Sequence, residues 1–278
     1  MSHSKPTGET GSESQVWARQ FKYVTVKQDG HILEITMNRP DRYNALHGPA
    51  HRELQEIFDA YERDQTLWVA ILTGAGDKAF CSGNDLKATK DGEDIKPGSA
   101  GFGGLCNRWE REKPVIAAVN GVAMGGGCEI VLACDIAVAD PGAKFALPEV
   151  KVGLFAAAGG VQRLTRQIGR KAAMELVLTG RQINAERACA LGIVSQVAGA
   201  GETALELARK IAHEITLASP FAVRASKRVL NYLEEQIERL PESFSINMKE
   251  FQTVIESNDG KEGVAAFVEK RSPKWTNS

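Results

Sequence analysis

The chain has 278 residues and a formal net charge of −1, from 34 Lys+Arg against 35 Asp+Glu. With 43% hydrophobic and 25% charged residues it has globular make-up, and a chain of this size buries roughly 70–75% of its unfolded surface. The balanced charge removes the bulk electrostatic case for a nucleic-acid or anionic-membrane binder.

Residues 1–18 begin with the polar run MSHSKPTGETGSESQV, which has no apolar h-region. They are expected to form a flexible tail, and match neither a secretory nor a transit leader. His31–Met37 and Val69–Thr73 have the apolar, β-branched make-up of strands. Between them Leu46, Ala50, Leu54, Ile57, Phe58 and Tyr61 recur at helical spacing, giving strand–helix–strand. Residues 87–101 are polar with Gly and Pro, and read as a mobile loop. Val115–Val119 and Ile136–Ala139 are further strands, with Gly125–Gly127 between them. The apolar stretch Val115–Cys128 is too short to span a bilayer, which needs about 20 residues. Helix signals dominate 159–191, including Met174, Leu176 and Leu178 before Gly180. Four helices follow, over 202–219, 221–240, 242–256 and 260–270, with Pro220 and Pro241 at the joins. Pattern alone therefore gives an α/β core and a helical C-terminal part. Five cysteines without CxxC spacing fit reduced thiols and a cytoplasmic setting.

Three motifs resemble sites without completing one. Gly74–Ala79 fits a loose dinucleotide fingerprint, but no helix follows it, which argues against an NAD enzyme. His47 and His51 are four apart on a helix, yet no third ligand or HExxH accompanies them; they read as a surface or first-turn pair with no metal. Arg163, Arg166, Arg170 and Lys171 form a basic helix face, expected to be solvated or phosphate-facing. An RNA-binding role for it is the outside reading.

Two stretches carry chemistry: Phe80–Leu86 and Pro114–Ala139. Gly125–Gly127 after a strand allow a sharp turn and close approach by a ligand. A helix opening at Gly127 would present unpaired amides, which stabilise an oxyanion, and the amide after Gly83 is a second donor. Glu129 lies in an apolar segment and Glu149 follows Pro148 in another. Either can be a surface acid; as neighbours, one would have its pKa raised, and the pair would supply an acid and a base.

GVAMGGGCEIVLACD, FCSGNDLK, ALPEVKVGL and AAFVEKR, in that order, resemble the enoyl-CoA hydratase/isomerase (crotonase) family over about residues 20–275. Among its subgroups the wording is nearest to enoyl-CoA hydratases and carnitinyl-CoA dehydratases, the latter through ALPE and the Gly-rich residues 97–104. The resemblance implies an α/β spiral of ββα units over 19–200, with a helical trimerisation region over 201–278 and trimers that can pair into hexamers. It implies an oxyanion hole from the amides of Asn84 and Gly126, and catalytic roles for Glu129 on water and Glu149 on the C2 proton. Ser82, Gly83, Asp85, Leu86, Lys87 and Gly125 would line the CoA path, with Phe267 and Lys270 as C-terminal CoA contacts. No metal or redox cofactor is implied.

Isomerase-type members usually lack one acid, so the two glutamates favour hydration. A carnitinyl-CoA-like dehydratase or an isomerase remains the alternative. Hydratases commonly carry Pro-Gly-x-Gly-Gly where this chain has Phe155-Ala156-Ala157-Ala158-Gly159-Gly160, and Asn84 stands where Ala is commoner. The acyl pocket is thereby expected to differ.

Overall fold

The computed structural model describes residues 16–17, 19–92, 94–237, 248, 252 and 255–274. Its strands are β1 (Val24–Asp29), β2 (Ile32–Met37), β3 (Val69–Gly74), β4 (Ala79–Cys81), β5 (Val115–Val119), β6 (Val122–Met124), β7 (Ile136–Ala139), β8 (Lys144–Ala146), β9 (Ile183–Asn184) and β10 (Gln196–Val197). Its helices are α1 (Gly48–Arg63), α2 (Leu86–Lys90), α3 (Gly126–Ala133), α4 (Gly160–Ile168), α5 (Arg170–Thr179), α6 (Ala185–Leu191), α7 (Ala204–Thr216), α8 (Pro220–Ile237) and α9 (Asn258–Glu269).

The strands make two sheets. One has the order β1-β2-β3-β5-β7-β10 and the other β4-β6-β8-β9. In β3–β4–α2 and β5–β6–α3 the first strand joins the larger sheet, the second joins the smaller, and a helix follows. Strands β7 and β8 repeat the step, so the units wind as a ββα spiral. Neighbours within the large sheet run parallel from β2 onward, with Ile71 beside Ile116 and Ile116 beside Ile136. A parallel strand covered on both faces needs no polar alternation, which is why β5 reads VIAAV and is buried throughout.

The principal core lies between the two sheets and around α1 and α3, and includes Phe58, Phe80, Leu105, Ile130 and Phe145. A second core forms where α7 lays Ala204, Ala208 and Ala212 on Ile71, Ile116 and Val138. Alanines at every fourth position let that helix approach the sheet closely. Thr203 and Glu206 close a capping box at its start.

Several expectations change. The four-stranded sheet was not legible, because β4, β6 and β8 have only three residues each. The expected loop 87–101 starts as helix α2, whose amide at Ala88 is capped by the Asp85 carboxylate at 3.2 Å. The long helical region 159–191 is cut at Gly169 and Gly180, and β9 interrupts it. Met174 and Leu178 lie on helix α5 as expected and are exposed. Within the expected tail, Trp17 is half-buried and its indole N–H donates to Asp64 at 2.8 Å. The expected helix 242–256 falls mostly outside the described residues.

His47 and His51 are buried, at 4% and 0% exposure, so the expected surface pair is an interior one. No group of three or more metal-ligating side chains occurs among the described residues. All five cysteines are free thiols. Arg163 is buried, which removes it from any solvated basic face; Arg170 and Lys171 are exposed. No helix among the described residues is long and apolar enough to cross a membrane.

Candidate active site

The site is assembled where the two sheets end and α3 begins. Leu46 N–H donates to the Gly83 carbonyl and Asp85 N–H donates to the Leu46 carbonyl, both at 2.8 Å. This is a parallel bridge between Leu46 and Asn84. In such a bridge the flanking residues take the bonds, so Asn84's own N–H points to the other side. The start of α3 lies there: a Cβ at Gly83 would stand 3.3 Å from Gly126 N and 2.9 Å from the Met124 carbonyl. Gly83 has φ +94°, a conformation that side chains disfavour. Gly126 is the first helical residue, so its N–H has no acceptor one turn back. The backbone segments that carry the Asn84 and Gly126 amides therefore lie side by side at one site.

Phe102 closes one side of it. Its ring packs on Gly126 so tightly that an added Cβ would lie 2.4 Å from Cζ. The ring is held edge-on to His51 with centroids 4.6 Å apart. His51 Nδ1 accepts from Gly103 N–H at 3.0 Å. Burial, then the neighbouring His47, lowers the His51 pKa to about 4, which keeps Nδ1 an acceptor at neutral pH.

Glu129 comes from the first turn of α3 and is 3% exposed. It is not the solvent-facing acid of an amphipathic helix. Its Oε1 accepts from Gly160 N–H at 2.9 Å. Glu149 comes from the 3-10 turn Pro148–Val152 and approaches Gly125, where a Cβ would be 3.0 Å from Glu149 Oε1. Glu149 is half-buried as a residue, but its Oε2 is buried and has no hydrogen-bond partner among the described residues. Burial pushes the Glu129 carboxyl up to about 7, against the Gly160 and Ala158 amides and the Arg163 charge, which pull it down. Burial and then the Glu129 charge push Glu149 up to about 8. Two such groups hold about one proton between them near neutral pH, which supplies one acid and one base.

Of the residues expected along the CoA path, Ser82 and Gly83 precede the bridge residue Asn84 and Leu86 and Lys87 follow it; Gly83 is buried, Ser82 and Leu86 are half-buried, and Lys87 is exposed. The Asp85 carboxylate instead turns inward to Arg39 at 2.8 Å. Helix α9, which carries Phe267 and ends at Lys270, packs on α2 and on the 148–152 turn. That contact is close because a Cβ at Gly263 would lie 2.0 Å from the Val152 carbonyl. Phe267 is 54% exposed beside this junction. Nothing local in the sequence marks Phe102, His51 or the Gly160 amide as members of the site, since each acts through a contact distant in the chain.

A sequence model of the enoyl-CoA hydratase/isomerase family matches residues 27–278. The chain belongs to that family. It is 40% identical over 252 residues to a carnitinyl-CoA dehydratase of Proteus mirabilis (strain HI4320), covering 88% of this chain and 95% of that protein. It is also 40% identical over 260 residues to a mevalonyl-coenzyme A hydratase of Beauveria bassiana (strain ARSEF 2860), covering 89% and 92%. Among solved structures, a carnitinyl-CoA hydratase from Mycobacterium avium superimposes with a TM-score of 0.85 at 40% identity, over 92% of this chain and 99% of that one. An enoyl-CoA hydratase from Mycobacterium tuberculosis H37Rv gives 0.72 at 43% identity, over 92% and 99%. The α/β spiral is thus the crotonase fold, and the protein is an enzyme of the family that acts on CoA thioesters as a hydratase or dehydratase.

Proposed function

We propose that the protein is an enoyl-CoA hydratase, adding water reversibly to a 2-enoyl-CoA to give a 3-hydroxyacyl-CoA. The observation that carries the reading is the pair of buried carboxylates, Glu129 and Glu149, on elements that meet at the Asn84 and Gly126 amides. Those amides would act as an oxyanion hole, holding the thioester oxygen as negative charge develops in the enolate. Ionised Glu129 takes a proton from water as its oxygen bonds to C3, and protonated Glu149 delivers a proton to C2. One carboxyl gains a proton as the other loses one, so the pair carries a single proton before and after. Such chemistry needs no metal or redox cofactor.

Lys87, Phe267 and Lys270 are assigned to the CoA moiety, on the junction of α2 and α9 that supports them. The exposed apolar Leu217, Phe221, Val229 and Leu230 support a homo-oligomer, trimer or hexamer, which sedimentation would identify. The test of the reaction is loss of enoyl absorbance with crotonyl-CoA and with longer and branched enoyl-CoAs. Glu129→Gln should lose hydration by about 100-fold or more; full activity in that variant refutes the assignment. The second reading, dehydration of a polar 3-hydroxyacyl-CoA, is favoured by the names of the carnitinyl and mevalonyl relatives. Mass and NMR analysis of the products separates the two.

A further inference from the structure

Arg163 is 9% exposed, and the mechanism gives it no task. Its guanidinium lies over the Trp109 ring, 4.1 Å from the centroid. Nη2 donates to the Cys106 carbonyl at 2.7 Å, and Nη1 to the Ala158 carbonyl at 3.4 Å. The Arg163 backbone N–H donates to the Gly159 carbonyl at 3.0 Å. A Cβ at Gly159, where φ is +97°, would stand 2.3 Å from Nη1, so the loop is moulded on the cation.

The guanidinium thus holds the Ala158 carbonyl, while the helix bond from the Arg163 backbone N–H holds that of Gly159. On the other side of that segment the Gly160 amide donates to the Glu129 carboxylate at 2.9 Å, and the Ala158 amide favours the ionised form of the same group. The clasp also reaches Cys106, joining the loop to the segment that follows Phe102. This stretch carries Ala156, Ala157 and Ala158 ahead of Gly159 and Gly160.

We propose that Arg163 is the positioning residue of the water-activating carboxylate: it fixes the 158–160 loop so that two amides meet Glu129, and sets a permanent positive charge close enough to act on it. The inference rests on the role given to Glu129 above. The Arg163 charge opposes the effect of burial on Glu129. The other ionisable groups acting around that carboxylate are Glu149, whose charge repels it, and the neutral thiols of Cys106 and Cys128. Since the loop amides and the cation both favour the ionised carboxylate, removing the cation returns Glu129 toward the protonated form.

The test is an infrared titration of the protonated carboxyl band that disappears in Glu129→Gln, on the full chain without substrate. In Arg163→Met the midpoint should rise by about one pH unit, and in Arg163→Lys, which keeps the charge, it should stay close to the parent's. Arg163→Gln keeps a donor toward Cys106 and decides the matter if the Met variant does not fold. For hydration, Met and Gln variants should lose about 10-fold or more in kcat with KM for the thioester within about threefold, and Lys should recover part of the loss. An unchanged midpoint in the charge-free variants overturns the proposal. Should the parent hydrate no enoyl-CoA, the assigned reaction fails, while the infrared midpoint still decides what Arg163 does to Glu129.

Discussion

Replacing Glu149 with Gln should stabilise the protein at alkaline pH while abolishing its chemistry. Glu149 is buried at its carboxylate and faces the charge of Glu129, and its pKa rises from an ordinary 4.5 to about 8. A folded-state pKa above the unfolded value means that the native state holds the proton more tightly between those limits. Stability is therefore greatest below about pH 4.5 and falls as pH rises toward about 8. At 1.36 kcal/mol per pH unit the ceiling is about 5 kcal/mol. A glutamine still buries a polar amide, which returns about 2 kcal/mol of that cost, leaving a net gain of about 2–3 kcal/mol. For a chain of this size each kcal/mol moves Tm by about 2–4 °C, so the expected gain is about 5–10 °C at about pH 8.5, turning into a loss of about 2–4 °C at about pH 5, where little ionisation cost is left to offset the buried amide. Thermal unfolding by circular dichroism at the two pH values, at one protein concentration, measures it. An equal Tm difference at both pH values would refute the argument, since the effect must come from ionisation.

Three further outcomes are expected. The rate of hydration should be bell-shaped, declining below about 7 as Glu129 takes up a proton and above about 8 as Glu149 loses its own; steady-state kcat/KM across pH reads the two limbs, which belong to the pair jointly. Gly83→Ala puts a methyl 3.3 Å from Gly126 N and 2.9 Å from the Met124 carbonyl, where φ is +94°. It should lower kcat/KM by about 100-fold or more and cost about 2–3 kcal/mol of stability, so a variant with normal turnover would remove Gly126 from the site. Ala208→Leu overfills the fully buried face of α7 against the large sheet; urea unfolding should show a loss of about 1–3 kcal/mol with turnover per folded molecule unchanged.

The elements visible in the sequence were those long enough to show a period. Helix α1 carries Ala50, Leu54, Ile57, Phe58 and Tyr61 on one buried face, and β3 and β5 are uniformly apolar because both their faces are covered. The second sheet was hidden because three-residue strands such as β4 have no period to read, and only their pairing with β6 and β8 defines them. The two glutamates were suspect from composition alone, since a carboxylate among Ile130, Val131 and Leu132 needs a partner or a task.

Length and the near-zero charge pointed to a folded chain with no bulk electrostatic case for a nucleic-acid partner, and the glycines and acids of Phe80–Leu86 and Pro114–Glu149 marked the candidate site. Only the tertiary structure decided that Glu129 faces inward, that Gly160 donates to it, and that Glu149 shares its burial. It also turned Arg163 from an expected surface cation into a buried one. The physical reason is the same in each case. A local pattern fixes which face of a helix is apolar, but the direction of a buried charge depends on amides and carbonyls tens of residues away, which meet it only when the two sheets close.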